Sequence, residues 1–337
     1  MAGGRRLTKH PGTRIIKIDR EQIIASGKYM RLRQLRFLVA VYEEGSFTTA
    51  AHRVHATQSG MSMQIKALEE SLQVRLFDRS PSGVTPTRAG ELAYQRATRV
   101  LRELGGIKSD LAMMEDHITG SVSVGLMPTT TRTVIAPVLA KFASLYPGVN
   151  IKMEEAYSAQ LSAGVMAGRL DFALVPPTQS YRGLKATHMD SDVEVFVTAP
   201  DQGRDNLSAI DLTGVEPLKL VLPGPDNARR AKIDSSLKTF NIPVKAIMEL
   251  DAMMATLDLV ARSDWTTIAP GCLVIADMES RQRFLHPITR PAMAVDYVLI
   301  EPASIPLSPA AQLLCEELQA ELSRVCQRCR KELGAGS

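Results

Sequence analysis

The spacing of apolar residues changes character near Gly120, and that change constrains the chain more than any other feature. Between Met30 and about Asp116 apolar residues recur mostly at three- and four-residue steps, the period of helices packed on one face. From Gly120 onward short β-branched runs alternate with helical stretches. "SVSVGL", "VNIKMEEA", "DFALVP", "PLKLVLPG", "VKAIMEL", "TTIAPG" and "DYVLIEP" read as strands. "TVIAPVLAKFASLYP", "SAQLSAGVMAGRL", "DNARRAKIDSSLKTF", "AMMATLDLVARS" and "SPAAQLLCEELQAELSRVCQRC" read as helices. Such alternation predicts a largely parallel sheet covered on both sides. About 215 residues of it suit two α/β lobes. The expected fold is therefore α/β behind an all-α head.

The head reads in detail. Leu32, Leu35, Leu38, Val39 and Tyr42 mark a first helix, stopped by Gly45. Ser46 is placed to cap a second helix from about Phe47 to Val54, and Thr57 to cap a third, Gln58–Leu72. On the third, Met61, Ile65, Leu68 and Leu72 form one stripe. Ser59, Ser62, Met63 and Lys66 lie opposite. That outward face is short and hydrogen-bonding, with one Lys, and suits approach to base edges and phosphates. Helix, three-residue turn and helix make a helix-turn-helix. Val74–Phe77 and Val84–Thr85, around a Ser-Pro-Ser-Gly turn, predict a wing with Arg75, Arg79 and Arg88 on or near it. Thr87 is placed to cap the next helix.

Charge agrees with a polyanion-binding head. Residues 1–90 carry 15 Lys and Arg against 7 Asp and Glu, a net +8, so the remainder of this +4 chain is −4. Part of the excess is the segment 1–29, which has no sustained period and reads as a flexible extension; Met30 reads equally well as a start. The basic N-terminus lacks an apolar core of the secretory kind, and no apolar run reaches the length of a membrane span, so the expectation is a cytoplasmic protein.

The helix from Arg88 to about Asp116 carries Ala93, Ala97, Val100, Leu104, Ile107, Leu111 and Met114 at alternating four- and three-residue steps. This heptad seam predicts pairing between two chains, with Ala97, Val100, Leu104, Ile107 and Leu111 as the contact. Gly105-Gly106 interrupts it and is expected to bend the helix.

Taken together, "LRQLRFLVAVYEEGSFTTAAHRVHATQSGMSMQIKALEE", "LFDR" and "TPTRAG" resemble the LysR-type transcriptional regulators, and "YPGV", "GRLDFALV" and the strand ending in Pro270 resemble their effector domain. The resemblance covers nearly everything after Met30. It implies a winged helix-turn-helix over 30–87, a linker and dimerisation helix over 88–117, and an effector-binding domain resembling periplasmic binding proteins over 118–330. Lobe I is expected at about 118–197 and 286–330, and lobe II at about 198–285. The implied partners are double-stranded operator DNA, a small-molecule effector, further copies of the chain as a dimer of dimers, and RNA polymerase if the protein activates. Carried over by position, the DNA-facing residues are Gln58, Ser59, Ser62 and Lys66, with Arg79 and Thr87 near the wing. Met63 stands where relatives often have Arg, and a thymine methyl is its natural contact.

Thr129, Thr130 and Thr131 fall between a strand end and a helix start, where backbone N–H groups favour an anion. A second such turn holds Pro223, Gly224 and Asn227, expected to face the first across a cleft. Pro176, Trp265 and Thr266 complete the expected wall; Ser263-Asp264-Trp265 departs from the family's Gly-x-Gly. A small carboxylate is the simplest effector, and no resident cofactor is called for. The two lobes are expected to hinge near Thr198–Pro200 and Leu285–Pro287. Competing functions fare worse. No nucleotide-binding, metalloprotease or nucleophile-elbow motif argues for an enzyme. A transporter's solute-binding protein would not carry the basic head. A redox-responsive regulator would want a cysteine pair in the second lobe, which holds only Cys272. Cys326-x-x-Cys329 has no second ligand pair for zinc, and those thiols, with Cys315, read as reduced.

Overall fold

The computed structural model describes residues 30–334 except 81–82, 114–117, 179, 201–202 and 226, so the 1–29 extension and Met114 lie outside the described residues. The chain divides into two compact units after Ala97. No helix among the described residues is long and apolar enough to cross a membrane.

The first unit contains α1 (Leu32–Glu44), α2 (Phe47–Arg53), α3 (Gln58–Leu72), β1 (Phe77–Ser80), β2 (Gly83–Pro86) and the start of α4 (Arg88–Met113). Its helix ends follow the predicted caps. Gly45 takes φ +63° and stops α1. Ser46 accepts the Thr49 N–H, and Thr57 accepts the Gly60 N–H at 3.2 Å. Met61, Ile65 and Leu68 of α3 are fully buried, and α3 packs against α1 and α2. The wing begins three residues later than the β-branched pattern implies. The Glu69 carboxylate, at the end of α3, accepts the backbone N–H groups of Leu76 and Phe77 at 2.7 and 3.2 Å. Those amides are thereby removed from the ladder, and pairing starts at Phe77 opposite Pro86.

Gly90 sets how closely α4 approaches the wing. A Cβ there would lie 2.0 Å from the carbonyl oxygen of Leu76, an atom that cannot swing away. Gly90→Ala is expected to destabilise the head by about 2–4 kcal/mol. Hydrogen exchange should show α1–α3 losing protection while the α/β unit keeps its own; unchanged protection in the head would refute the close-approach argument.

The second unit is built on a mixed sheet, not the largely parallel one expected. Its strand order is β4 (Val149–Glu155), β3 (Gly120–Leu126), β5 (Phe172–Val175), β12 (Ala294–Pro302), β6 (Leu184–Thr198), β11 (Phe284–Arg290), β7 (Ile210–Asp211), with β10 (Thr267–Pro270) also on β6. β3 runs parallel to β4 and β5, but β12 is antiparallel to both β5 and β6. A separate parallel pair joins β8 (Leu218–Leu222) and β9 (Val244–Glu249). α5 (Ala136–Leu145), α6 (Ser158–Met166), α7 (Ala228–Thr239), α8 (Met253–Ala261), α9 (Gly271–Val274) and α10 (Pro309–Leu333) cover the strands.

The long strand β6 serves both lobes. Leu184–Val193 pairs with β12, and Glu194–Thr198 with β10 and β11. A smaller core gathers Ile210, Leu220, Leu222, Ile233 and Leu237. The larger one holds the β3–β5 strands, α5 and α10. Cys272–Ile275 and Leu285, expected in the second lobe, pack in this larger core. The cause is β10, which returns along β6 and delivers α9 onto α10. The segments expected to act as hinges begin side by side in paired strands, with Leu285 opposite Val197. His286 bridges Thr198 and Ser208 there, and burial holds its imidazole below the usual range.

Candidate functional site

α3 presents the face expected of it. Gln58, Ser59 and Lys66 are exposed, and Met63 is 68 % exposed. Ser62 is half-buried, and its hydroxyl accepts from Arg79 at 3.0 Å. The Arg79 guanidinium also lies 4.4 Å from the centre of the Phe47 ring. The wing arginine is therefore set beside the outward face of α3 by contacts within the head. Thr87 does not offer its hydroxyl outward. It donates to the carbonyls of Arg75 and Leu76 and accepts the Gly90 N–H, so it caps α4 and ties that helix to the wing.

A buried polar knot holds this head together, and sequence reasoning missed it. Glu43 is 8 % exposed, pairs with Arg53 at 2.6 Å and accepts from the Tyr94 hydroxyl at 3.0 Å. Burial raises the Glu43 carboxyl and Arg53 opposes that shift. Tyr94 also stacks on Tyr42 at 3.9 Å. The knot joins α1, α2 and α4, and no local pattern could reveal partners 51 residues apart.

On α4 the expected seam divides. Ala97 is covered by its own chain at 2 % exposure, whereas Val100, Leu104, Ile107 and Leu111 remain 40–61 % exposed. Gly105 has another use than the expected bend. A Cβ there would meet Pro306 Cδ at 2.5 Å, so the glycine lets α4 lie against the 302–307 segment.

The three threonines after β3 have three different environments. The chain passes from a helical turn (Pro128–Thr130) through a π-helical turn (Thr131–Ile135) into α5. Thr130, fully buried, donates to the Met127 carbonyl. Thr131 donates to Glu155 at the end of β4. Thr129 is 5 % exposed, and its hydroxyl is buried with no hydrogen-bond partner among the described residues. The segment Gly271–Asp277 closes over this turn. Thr133 donates to the Cys272 carbonyl, and the Cys272 thiol donates to the Thr129 carbonyl at 3.3 Å. Arg132 holds Asp277 through two bonds of 2.6 and 2.7 Å and also reaches the Leu273 carbonyl. Arg283, just before β11, grips the same carboxylate, which the two guanidiniums hold below the usual range against its burial.

The other expected wall residues are largely engaged in the fold. Pro176 is buried at the end of β5. The Pro223 carbonyl accepts from Arg230, the Gly224 N–H donates to Asp251, and Asn227 caps α7. Thr266 donates to the Lys219 carbonyl, and Trp265 packs half-buried on the larger core. Among the described residues no hydrogen bond or ion pair joins the Pro223–Asn227 turn to the threonine turn; the bonds of the threonine turn run to Gly271–Asp277. Tyr157, absent from the expected set, does sense both sides. Burial raises its phenol, the charges of Asp251 and Glu155 add to that, and Arg229 opposes it. Arg229 is itself buried on Glu194 at 2.8 Å.

Beneath the Gly271–Asp277 segment, Asp192 accepts the Cys272 N–H at 2.6 Å, and burial pushes its carboxyl up to about 6. The Cys272 thiol sits 2.7 Å from the Tyr297 hydroxyl. All four cysteines are free, and burial pushes each thiol upward.

With this geometry in place, comparison with known proteins is informative. A profile described as "LysR substrate binding domain" matches residues 115–323, and one described as "Bacterial regulatory helix-turn-helix protein, lysR family" matches residues 32–91. The nitrogen assimilation regulatory protein Nac of Klebsiella aerogenes is 28% identical over 297 residues, 88% of this chain and 96% of its own length. A probable hydrogen peroxide-inducible genes activator of Streptomyces viridosporus is 28% identical over 255 residues, 75% of this chain and 82% of its own. Among solved structures, a full-length OxyR variant from Pseudomonas aeruginosa superposes with a TM-score of 0.53 at 21% identity, covering 86% of this chain and all of its own. CbnR, a LysR family transcriptional regulator, does so at 0.51 and 22%, with the same coverage. At these identities the structural matches carry the fold alone.

Proposed function

The chain belongs to the LysR family of DNA-binding transcriptional regulators, and on that premise we propose that α3 reads operator DNA while a small molecule at the Thr129–Thr131 turn sets the response. In this reading Gln58, Ser59, Ser62 and Met63 meet base edges in the major groove, and Lys66 and Arg79 meet phosphates. Val100, Leu104, Ile107 and Leu111 pair with a second copy, and two such dimers form the tetramer. Where the protein activates, RNA polymerase is the further partner. The reading assigns no catalytic group, metal or resident cofactor, and places the protein with the chromosome in the cytoplasm.

The observation that carries the effector assignment is the Thr129 hydroxyl. A buried hydroxyl without a partner costs about 1–3 kcal/mol, so such groups are rare unless something else completes them. A ligand oxygen supplies that partner; because the Thr130 and Thr131 N–H groups already donate to the Met127 carbonyl, the Thr129 hydroxyl is the donor this turn would lend a carboxylate. Entry requires the Gly271–Asp277 segment to withdraw. The ligand then biases the arrangement by its difference in affinity for the two states. The raised thiols speak against a redox signal, because the thiolate is the reactive form.

A thermal-shift screen of small carboxylates on the full-length chain identifies the ligand, and Thr129→Val tests the site. Its affinity by calorimetry should fall about 10- to 100-fold. Stability should stay level or rise by about 1 kcal/mol, since the hydroxyl has no partner to lose. Thr130→Val should instead destabilise the turn, because it removes the bond that the buried hydroxyl donates to the Met127 carbonyl. Full ligand affinity in Thr129→Val would move the site elsewhere.

A further inference from the structure

A cavity of about 270 Å³ opens where α4 meets β6, β12 and α10, away from the threonine turn. Met189, Leu299 and Leu307 give it an apolar floor, and Cys315 forms part of its wall. Its charged edge is a triad built on one buried carboxylate. The Glu301 side chain is 4 % exposed and accepts from Arg102 at 2.7 Å and from Lys185 at 2.8 Å. The second Arg102 nitrogen donates to the Pro302 carbonyl at 3.1 Å.

Two cations thus share one carboxylate above an apolar surface. The triad carries a net +1, and Lys185, about half exposed, holds N–H donors beyond the one that Glu301 takes. Glu316 also lines the cavity; it is exposed, as Lys185 is, so water screens both of those charges and leaves the Arg102–Glu301 pair the better shielded. A group that neutralises the triad while covering the floor is a carboxylate with an apolar tail.

We propose that this cavity is a second ligand site, taking a small aliphatic monocarboxylate whose head meets Lys185 and Arg102 and whose tail covers Met189 and Leu299. The assignment stands apart from the effector reading and shares no residue with the threonine turn. Its position gives it a consequence. Arg102 lies on α4 between the exposed seam residues Val100 and Leu104, one turn before Gly105 packs on Pro306. An occupant that competes for Arg102 changes how that helix is tied to the sheet.

The test uses full-length protein and three six-carbon probes: hexanoate, its uncharged amide hexanamide, and hexylammonium. Calorimetry should find saturable hexanoate binding, at least tenfold tighter than hexanamide, and none for hexylammonium. Thr187→Tyr, at an exposed strand position on the cavity wall, should fill the space and abolish binding. Lys185→Gln should weaken it about tenfold, the effect of one charge-assisted bond. Thr129→Val should leave it unchanged. Absence of saturable hexanoate binding up to about 10 mM would overturn the proposal. So would equal affinity for hexanamide, or binding that survives Thr187→Tyr but is lost in Thr129→Val.

Discussion

Replacing Ser62 by Glu is expected to weaken operator binding at least about 100-fold while the head stays folded. Two effects act in the same direction. A carboxylate on the outward face of α3 repels DNA phosphates. It also captures Arg79, whose guanidinium already donates to the Ser62 hydroxyl at 3.0 Å and would form an ion pair with the new side chain. Each effect is worth about 1–3 kcal/mol, and at the middle of that range, about 2 kcal/mol each, together they exceed a hundredfold. Ser62→Ala removes one neutral acceptor and keeps Arg79 available; it should lose no more than about tenfold. Fluorescence anisotropy on genomic fragments selected by the wild-type protein, taken across a salt series, reads both values. The slope with salt should be shallower for Ser62→Glu, because fewer cations meet phosphates. An unchanged footprint in that variant would mean that α3 does not enter the groove as proposed.

Val100→Glu combined with Leu104→Glu should split the pair joined through α4 and with it remove tight operator binding. Within one chain both side chains are already exposed, at 44 % and 40 %, so the change costs the isolated fold little. Any large effect therefore reports a surface covered by another copy, where two buried carboxylates in an apolar seam are strongly unfavourable. Light scattering should show the mass of the tetramer halving. Affinity for a two-half-site operator should drop by about two orders of magnitude or more, since two heads are no longer held in register for both half-sites. Ala97→Glu is the instructive contrast. Ala97 is covered by its own chain, so that variant should unfold the head and says nothing about pairing. A double variant with the wild-type mass would show that the exposed residues of α4 do not join chains.

Much of the head was legible because its signals are local. Ser46 and Thr57 cap helices that begin one residue later, and the buried stripe of α3 repeats every three or four residues. The seam of α4 was legible as a period. Which of its members face outward was not, because Ala97 and Val100 look alike until something packs on one of them. At the candidate effector site the sequence placed three threonines in one turn, and their equal chemistry hid unequal surroundings. Thr130 bonds back to Met127, Thr131 reaches Glu155, and only Thr129 is left without a partner.

The sequence by itself determined the order of elements, the caps, the helix-turn-helix and the alternation that makes an α/β body. Those properties depend on residues within a few positions of one another. The tertiary structure decided what depends on distant pairs. An alternating pattern does not say which way neighbouring strands run, so β12 entering antiparallel between β5 and β6 could not be foreseen. Nor could a glycine's purpose be read from its neighbours: Gly90 is fixed by the Leu76 carbonyl and Gly105 by Pro306. The Arg132–Asp277 clamp joins residues 145 positions apart, and Arg102–Glu301 joins residues 199 apart. In each case the energy lies in a desolvated contact that exists only once the chain has brought both partners out of water, and no spacing along the sequence encodes it.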